Sequence, residues 1–317
     1  MEPKENLLRA IHYDQPAYVP RTDEPFWQTI QFKGNFQRAN WVDAWGVRWE
    51  VTLADFVPFP KGHPLPDLER LGDYRLPDPA ALIADEQVLA PLRRVDRDRI
   101  FITGELTYLL FERAWALMGM DNLMLALHTH PAELHALLDV IADYDIAVFD
   151  RYLELGVDAI SFSEDLGSQR ALLISPRQLR EFFIPRYKRI LAHAVALGVV
   201  VRFHSCGCVQ EVVADLAEAG ATVLNPVQAR ANDLAQVKAT AMASGLALEG
   251  GIDSHLLTVG SPDQARAEAL RVLALLAPGG GYIAGPDQAM PWPAANYRAM
   301  MDTIRRYGRY PLNLPDL

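Results

Sequence analysis

The 317-residue chain contains only two cysteines, Cys206 and Cys208. So sparse and close a pair excludes the disulfide framework of a small secreted domain. It fits a reducing compartment, and a cytoplasmic location is expected. Long apolar runs are missing too. None approaches the roughly 20 residues that span a bilayer, and Met1-Glu2-Pro3-Lys4-Glu5 offers no apolar leader core. Positive charge is short: 30 Lys and Arg stand against 40 Asp and Glu, a net charge of -10. A surface for nucleic acid or an anionic membrane is therefore not expected. No GxGxxG turn follows an early strand, which weighs against a dinucleotide fold.

What is present can fill a large core, since 50% of the residues are hydrophobic and 22% charged. From residue 100 onward, strand and helix patterns alternate. Ile100–Glu105, Asp158–Ser163, Val199–His204, Thr222–Asn225, Leu246–Gly251 and Gly281–Ala284 read as strands. Helical spacing fills the stretches between them, as in Leu134, Leu137, Leu138 and Ile141. This alternation predicts parallel βα units with right-handed crossovers. Ala17–Arg21 and a strand near Val47–Val51 bring the candidates to eight. The expected fold is thus an α/β (β/α)8 TIM-type barrel, one domain over 1–317. An aromatic- and proline-rich segment, about 22–95, decorates it, with Trp27, Trp41, Trp45 and Trp49 and proline-bounded stretches at 58–66 and 77–91. Asp43–Trp49 reads as a turn and hairpin.

One stretch carries the most chemistry: Val199-Val200-Val201-Arg202-Phe203-His204-Ser205-Cys206-Gly207-Cys208. A buried strand runs straight into His, Cys, Gly and Cys. Alternation puts His204 and Cys206 on one side, where an imidazole and a thiolate can share a soft metal such as zinc. Gly207 lets the backbone turn sharply. Arg202 shares the inward face with His204, and buried there it requires a carboxylate partner that the sequence does not name. Two ligands do not make a zinc site, so a buried cysteine beside a hydrogen-bonded core histidine is the competing reading.

Other polar residues sit at or just past predicted strand ends: Glu105, Asp165, Asn225, Gln228, Glu249, Asp253, Asp287 and Gln288. In a barrel those ends converge on one mouth, where active sites lie. Helix capping explains some of them, Asp253 among them, but not a Glu directly after Thr103-Gly104 or one between Leu248 and Gly250. Together they point to an enzyme pocket.

The run His204-Ser205-Cys206-Gly207, with Ser163-Glu164-Asp165-Leu166-Gly167-Ser168-Gln169 and Ser175-Pro176, resembles the uroporphyrinogen decarboxylase superfamily. Gly250-Gly251-Ile252-Asp253, Gly279-Gly280-Gly281-Tyr282-Ile283 with Pro286, Asp43-Ala44-Trp45-Gly46-Val47, and Pro293 leading into Asn296 follow the same pattern. The resemblance implies a (β/α)8 barrel with a deep cleft and one of two chemistries. One branch decarboxylates tetrapyrrole acetate arms without a cofactor. The other comprises zinc-dependent methyltransferases that move a methyl group between a corrinoid protein and a thiol or other acceptor. The decarboxylase branch carries an arginine-rich N-terminal signature. Here the matching stretch, Pro20-Arg21-Thr22-Asp23-Glu24, offers one arginine beside two acids, a poor cradle for many carboxylates.

The methyltransferase reading makes His204 and Cys206 zinc ligands. Its third ligand is a cysteine after the last strand, and Gly281–Ala289 has none. Asp287, Glu249 or Cys208 would complete the set, or the site is metal-free. The expected catalytic residues are then Glu105, Asp165, His204 and Glu249. The substrate would meet Arg21, Trp27, Trp45, Gln169, Asn225, Gln228, Asp253 and Gln288. A corrinoid carried by a partner protein, or a small-molecule substrate, is the implied partner, and a homodimer fits such a barrel. A non-catalytic corrinoid- or tetrapyrrole-binding barrel is a third reading.

Overall fold

The computed structural model describes residues 1–32, 36–53, 57–83, 89–90 and 92–315. Seven parallel strands form one curled sheet in the order β1-β5-β6-β7-β8-β9-β10. They are β1 (Trp27–Gln31), β5 (Phe101–Leu106), β6 (Ala159–Ser163), β7 (Val200–His204), β8 (Val223–Val227), β9 (Ala247–Ile252) and β10 (Tyr282–Pro286). A separate antiparallel sheet joins β2 (Trp41–Val42), β3 (Arg48–Glu50) and β4 (Phe59–Gly62).

β5 to β10 are covered on both faces, so each is apolar at neighbouring positions. Outward residues Ile102, Ile160, Val201, Leu224 and Leu248 join the main core under the helices. Their inward neighbours Phe101, Ala159, Val200, Val223 and Ala247, with Ile283, form a second cluster inside the curl. Leu7 and Ile11, from the Pro3–Ile11 helix, and Phe26 complete that cluster and plug the lower end. Above the plug the inward face turns polar: first Thr103, Ser161, Arg202 and Glu249, then Glu105, Ser163, His204 and Asn225. The strand period of two fixes this layering.

Two expected strands are corrected. Ala17–Arg21 contributes isolated bridges rather than an eighth strand, Arg21 lying beside Ala284 on the free side of β10. Its ends are held by Ala284 N donating to Pro20 O and Thr22 N donating to Ala284 O. Val47–Val51 lies in the antiparallel sheet, where Trp41 faces Trp49. The first parallel strand is instead Trp27–Gln31, paired with β5. The 22–95 segment therefore supplies a strand of the main sheet as well as decoration. The 77–91 stretch falls partly outside the described residues.

Asp43 ties the small sheet to the main core. It accepts from Trp45 N (3.0 Å), Val47 N (2.9 Å), Trp49 Nε1 (3.0 Å) and Arg113 Nη1 (2.6 Å). The Arg113 guanidinium lies over the Trp45 and Tyr108 rings, 5.2 and 5.7 Å from their centroids. Trp45 is thus core, 4% exposed and edge-on to Tyr144, and what it borders is an outer hollow shared with Pro64 and Tyr74.

Lys238 is buried on the Leu234–Ala243 helix, where its ammonium donates to Gly280 O at 2.6 Å and faces the Tyr13 ring. Desolvation lowers its pKa from 10.5 to about 8. Between these values the unfolded chain keeps a proton that the native chain has released, so this lysine's contribution to stability rises with pH. The stability difference between wild type and Lys238→Met should grow in favour of wild type from pH 8 to 10.5. Denaturant titrations across that window check it, and a flat difference would contradict it.

Candidate metal centre

Three strand ends build the site. β6 leads into Asp165, β7 into Cys206, and β8 carries Asn225. Register sets Ser163 beside His204 and His204 beside Asn225. One ligand atom each from Asp165, His204 and Cys206 lies within 4.8 Å of the other two. His204 Nε2 is 3.4 Å from Cys206 Sγ and 3.5 Å from Asp165 Oδ1. Behind the ring, His204 Nδ1 meets Asn225 Oδ1 at 2.8 Å. That oxygen only accepts, so Nδ1 carries the proton and the Nε2 lone pair faces the sulfur and the carboxylate.

The two loops that carry these groups are laced together. Leu166 N donates to Ser205 Oγ, Ser205 N to Asn225 O, and Cys208 N to Ser168 O. Cys206 N donates to Asp165 Oδ1 at 2.8 Å, and Gly207 N to Gln228 Oε1 at 3.0 Å. Gly207 has φ +84, and its missing side chain allows close contact with the Gly167–Ser168 backbone.

Burial, with Asp165 alongside, pushes the Cys206 thiol up to about 12, and Gln288 Nε2 donates to the sulfur at 3.1 Å. A cation at the centre of the three groups would reverse this and draw the thiolate out. A sulfur, an imidazole nitrogen and a carboxylate oxygen are a donor set that suits zinc with one position open. The residues present therefore fit the metal.

Asn225 holds the imidazole. Its removal should cost about 10- to 100-fold in zinc affinity with little effect on folding. Competition titration of Asn225→Ala against a chelator reads this, and unchanged affinity would show the ring needs no such support.

The residue that joins His204 and Cys206 is Asp165 rather than Asp287. Asp287 spends its oxygens on Ser254 N and Ala229 N, both at 2.9 Å, and ties β10 to its neighbours. Asp253 caps the Ser254–Val259 helix through His255 N and Leu256 N. Arg21 is held by Asp23 and Glu24 and lines an outer hollow of about 210 Å³ with Ile304 and Arg309. Trp27 lies low in the sheet, donating to Thr103 Oγ1. Gln169 donates to Gln228 Oε1, so these amides brace the loops. Glu249 supplies the partner Arg202 requires, in a two-pronged pair at 2.7 and 2.7 Å. Glu105 accepts from Gln31 Nε2 at 3.3 Å. Cys208 is buried outside the three-residue group.

Two buried carboxyls were not foreseen. Glu112 accepts from Ser163 Oγ at 2.5 Å, and burial with Asp165 nearby raises its pKa well above the ordinary range. Glu164 accepts from Phe111 N, Glu112 N and Tyr187 OH, and burial lifts it to about 7. The signal available was a charged pair, Glu112-Arg113, inside the apolar run Tyr108–Met118.

The described helices include none long and apolar enough to cross a membrane. A solved methyltransferase from Methanosarcina mazei shares this fold: TM-score 0.73, 19% identity, covering 97% of this chain and 99% of that one. A protein named uroporphyrinogen decarboxylase from Rhodococcus erythropolis is 31% identical over 148 residues, 47% of this chain and 39% of that protein. One of the same name from Rhodococcus opacus is 32% identical over 135 residues, 43% of this chain and 36% of that protein. The chain therefore matches less than half the length of these relatives. The profile described as Uroporphyrinogen decarboxylase (URO-D) matches residues 111–307. That span holds Asp165, His204, Cys206 and Asn225, and the chain belongs to the URO-D family.

Proposed function

We propose that this chain is a metal-assisted methyltransferase. It would move a methyl group between a small methylated substrate, or a thiol, and a corrinoid carried by a partner protein. The observation that carries this reading is the convergence of Asp165, His204 and Cys206 on one point, with the imidazole oriented from behind. Zinc, when bound, supplies a Lewis acid that keeps an acceptor thiol as thiolate or eases departure of an oxygen. Asp165, His204 and Cys206 hold it, and Asn225 and Gln288 fix the ring and the sulfur. Glu105, facing inward from β5, is the carboxyl we assign to proton delivery at a departing oxygen.

The name of the Rhodococcus relatives favours decarboxylation as the second reading. Against it, Arg202 is engaged by Glu249, Arg113 by Asp43, and Arg21 by Asp23 and Glu24. Guanidinium forks already closed on carboxylates make a poor cradle for a polycarboxylate.

Metal analysis and turnover decide between the readings. Purified from zinc-supplemented medium, the wild type should hold about one zinc per chain, and His204→Ala or Cys206→Ser should hold none. The loaded protein should pass a methyl group to or from free cobalamin. A metal-free wild type, or carbon dioxide release from a porphyrinogen without methyl transfer, would overturn the proposal.

A further inference from the structure

Below the metal centre lies an ion pair that metal binding leaves unexplained. Arg202 points inward from β7 one alternation beneath His204, about 7 Å deeper along the strand. Its Nε and Nη2 grip both oxygens of Glu249 at 2.7 Å, and Nη1 donates to Ser161 Oγ at 3.3 Å. The guanidinium lies over the Trp27 ring, 5.8 Å from its centroid. Apolar residues would fill a purely structural layer more cheaply, as they do in the plug just below. The Arg202 side chain also keeps 21% of its surface exposed, whereas Glu249 keeps 5%. Of the two, Arg202 is the partner left more open.

We infer that Arg202 and Glu249 form the floor of the substrate pocket and set it to take an uncharged polar compound in preference to a carboxylate. This rests on the reading of the barrel mouth as the substrate site. The chemistry is one of occupied donors. A guanidinium has five N–H groups, and three are spent on Glu249 and Ser161. The remaining hydrogens on Nη1 and Nη2 suit one neutral acceptor, such as an amide or ether oxygen. A carboxylate also needs a net positive charge, and Glu249 has already neutralised it.

Benzamide and benzoate, equal in shape and different in charge, are the probes, with binding read by calorimetry on the metal-loaded protein. The wild type should prefer benzamide at least tenfold. Glu249→Gln should invert the preference by freeing the fork. The double variant Arg202→Met with Glu249→Leu, which keeps bulk without charge, should show a ratio near one. A wild type that holds benzoate as tightly as benzamide, or binds neither at millimolar concentration, overturns the inference. So does a folded double variant that keeps the tenfold preference. Metal content reads the rim separately. A wild type without zinc that still discriminates would sink the transfer reading and leave the floor intact.

Discussion

Gly207→Ala should break up the Asp165–His204–Cys206 group that the proposed metal needs. The left-handed φ of +84 strains any side chain, and an added Cβ would overlap the carbonyls of Gly167 and Ser168. Neither backbone can retreat, because Cys208 N is bonded to Ser168 O and Gly207 N to Gln228 Oε1. The loop must then lift away, taking Cys206 and its contact to Asp165 with it. The expected cost is about 3 kcal/mol of stability or more, together with loss of stoichiometric zinc. Thermal melts and metal analysis of one preparation test both parts. A variant with full zinc and a wild-type melting temperature would show that the two loops do not define the centre.

The second large effect is expected far from that centre, at Asp43. Alanine there leaves the Arg113 guanidinium buried without its anion and strips acceptors from Trp49 Nε1 and two backbone N–H groups. Breaking a buried pair from one side costs about 3–5 kcal/mol. By contrast, removing the exposed partner Asp263 from Arg266 should cost about 1 kcal/mol at most. Chemical denaturation of the two alanine variants gives the comparison directly. Equal midpoints would mean that the small sheet is not anchored through Asp43.

Much of this was legible in the chain because burial on two faces leaves an unmistakable trace. β5 to β10 announce themselves as adjacent apolar pairs, and the placement of His204 and Cys206 follows from simple alternation. Trp27–Gln31 escaped because its strand reads Trp-Gln-Thr-Ile-Gln, half of it polar. Gln31 faces a polar interior, where it meets Glu105 and Thr107, while Gln28 and Thr29 stay exposed, and the rule that strands are apolar fails there. The place of Asp165 beside His204 and Cys206 escaped for another reason. Asp165 and Asp287 both follow strands, and only the backbone N–H groups that converge on Asp287 remove it. Glu164 stayed hidden because its partners, Phe111 and Tyr187, lie 53 and 23 residues away in sequence. Likewise, Arg202 declared its need for an anion, but 47 residues separate it from Glu249.

The plug of Leu7, Ile11 and Phe26 has a kinetic corollary. With the base filled, a substrate would approach from the strand C-terminal ends, so in the proposed transfer donor and acceptor share that side. Direct passage of the group, with no side chain assigned to carry it in between, requires both to be held there at once. Initial-rate measurements should accordingly give intersecting lines, and parallel lines would show the group resting on the protein between two visits.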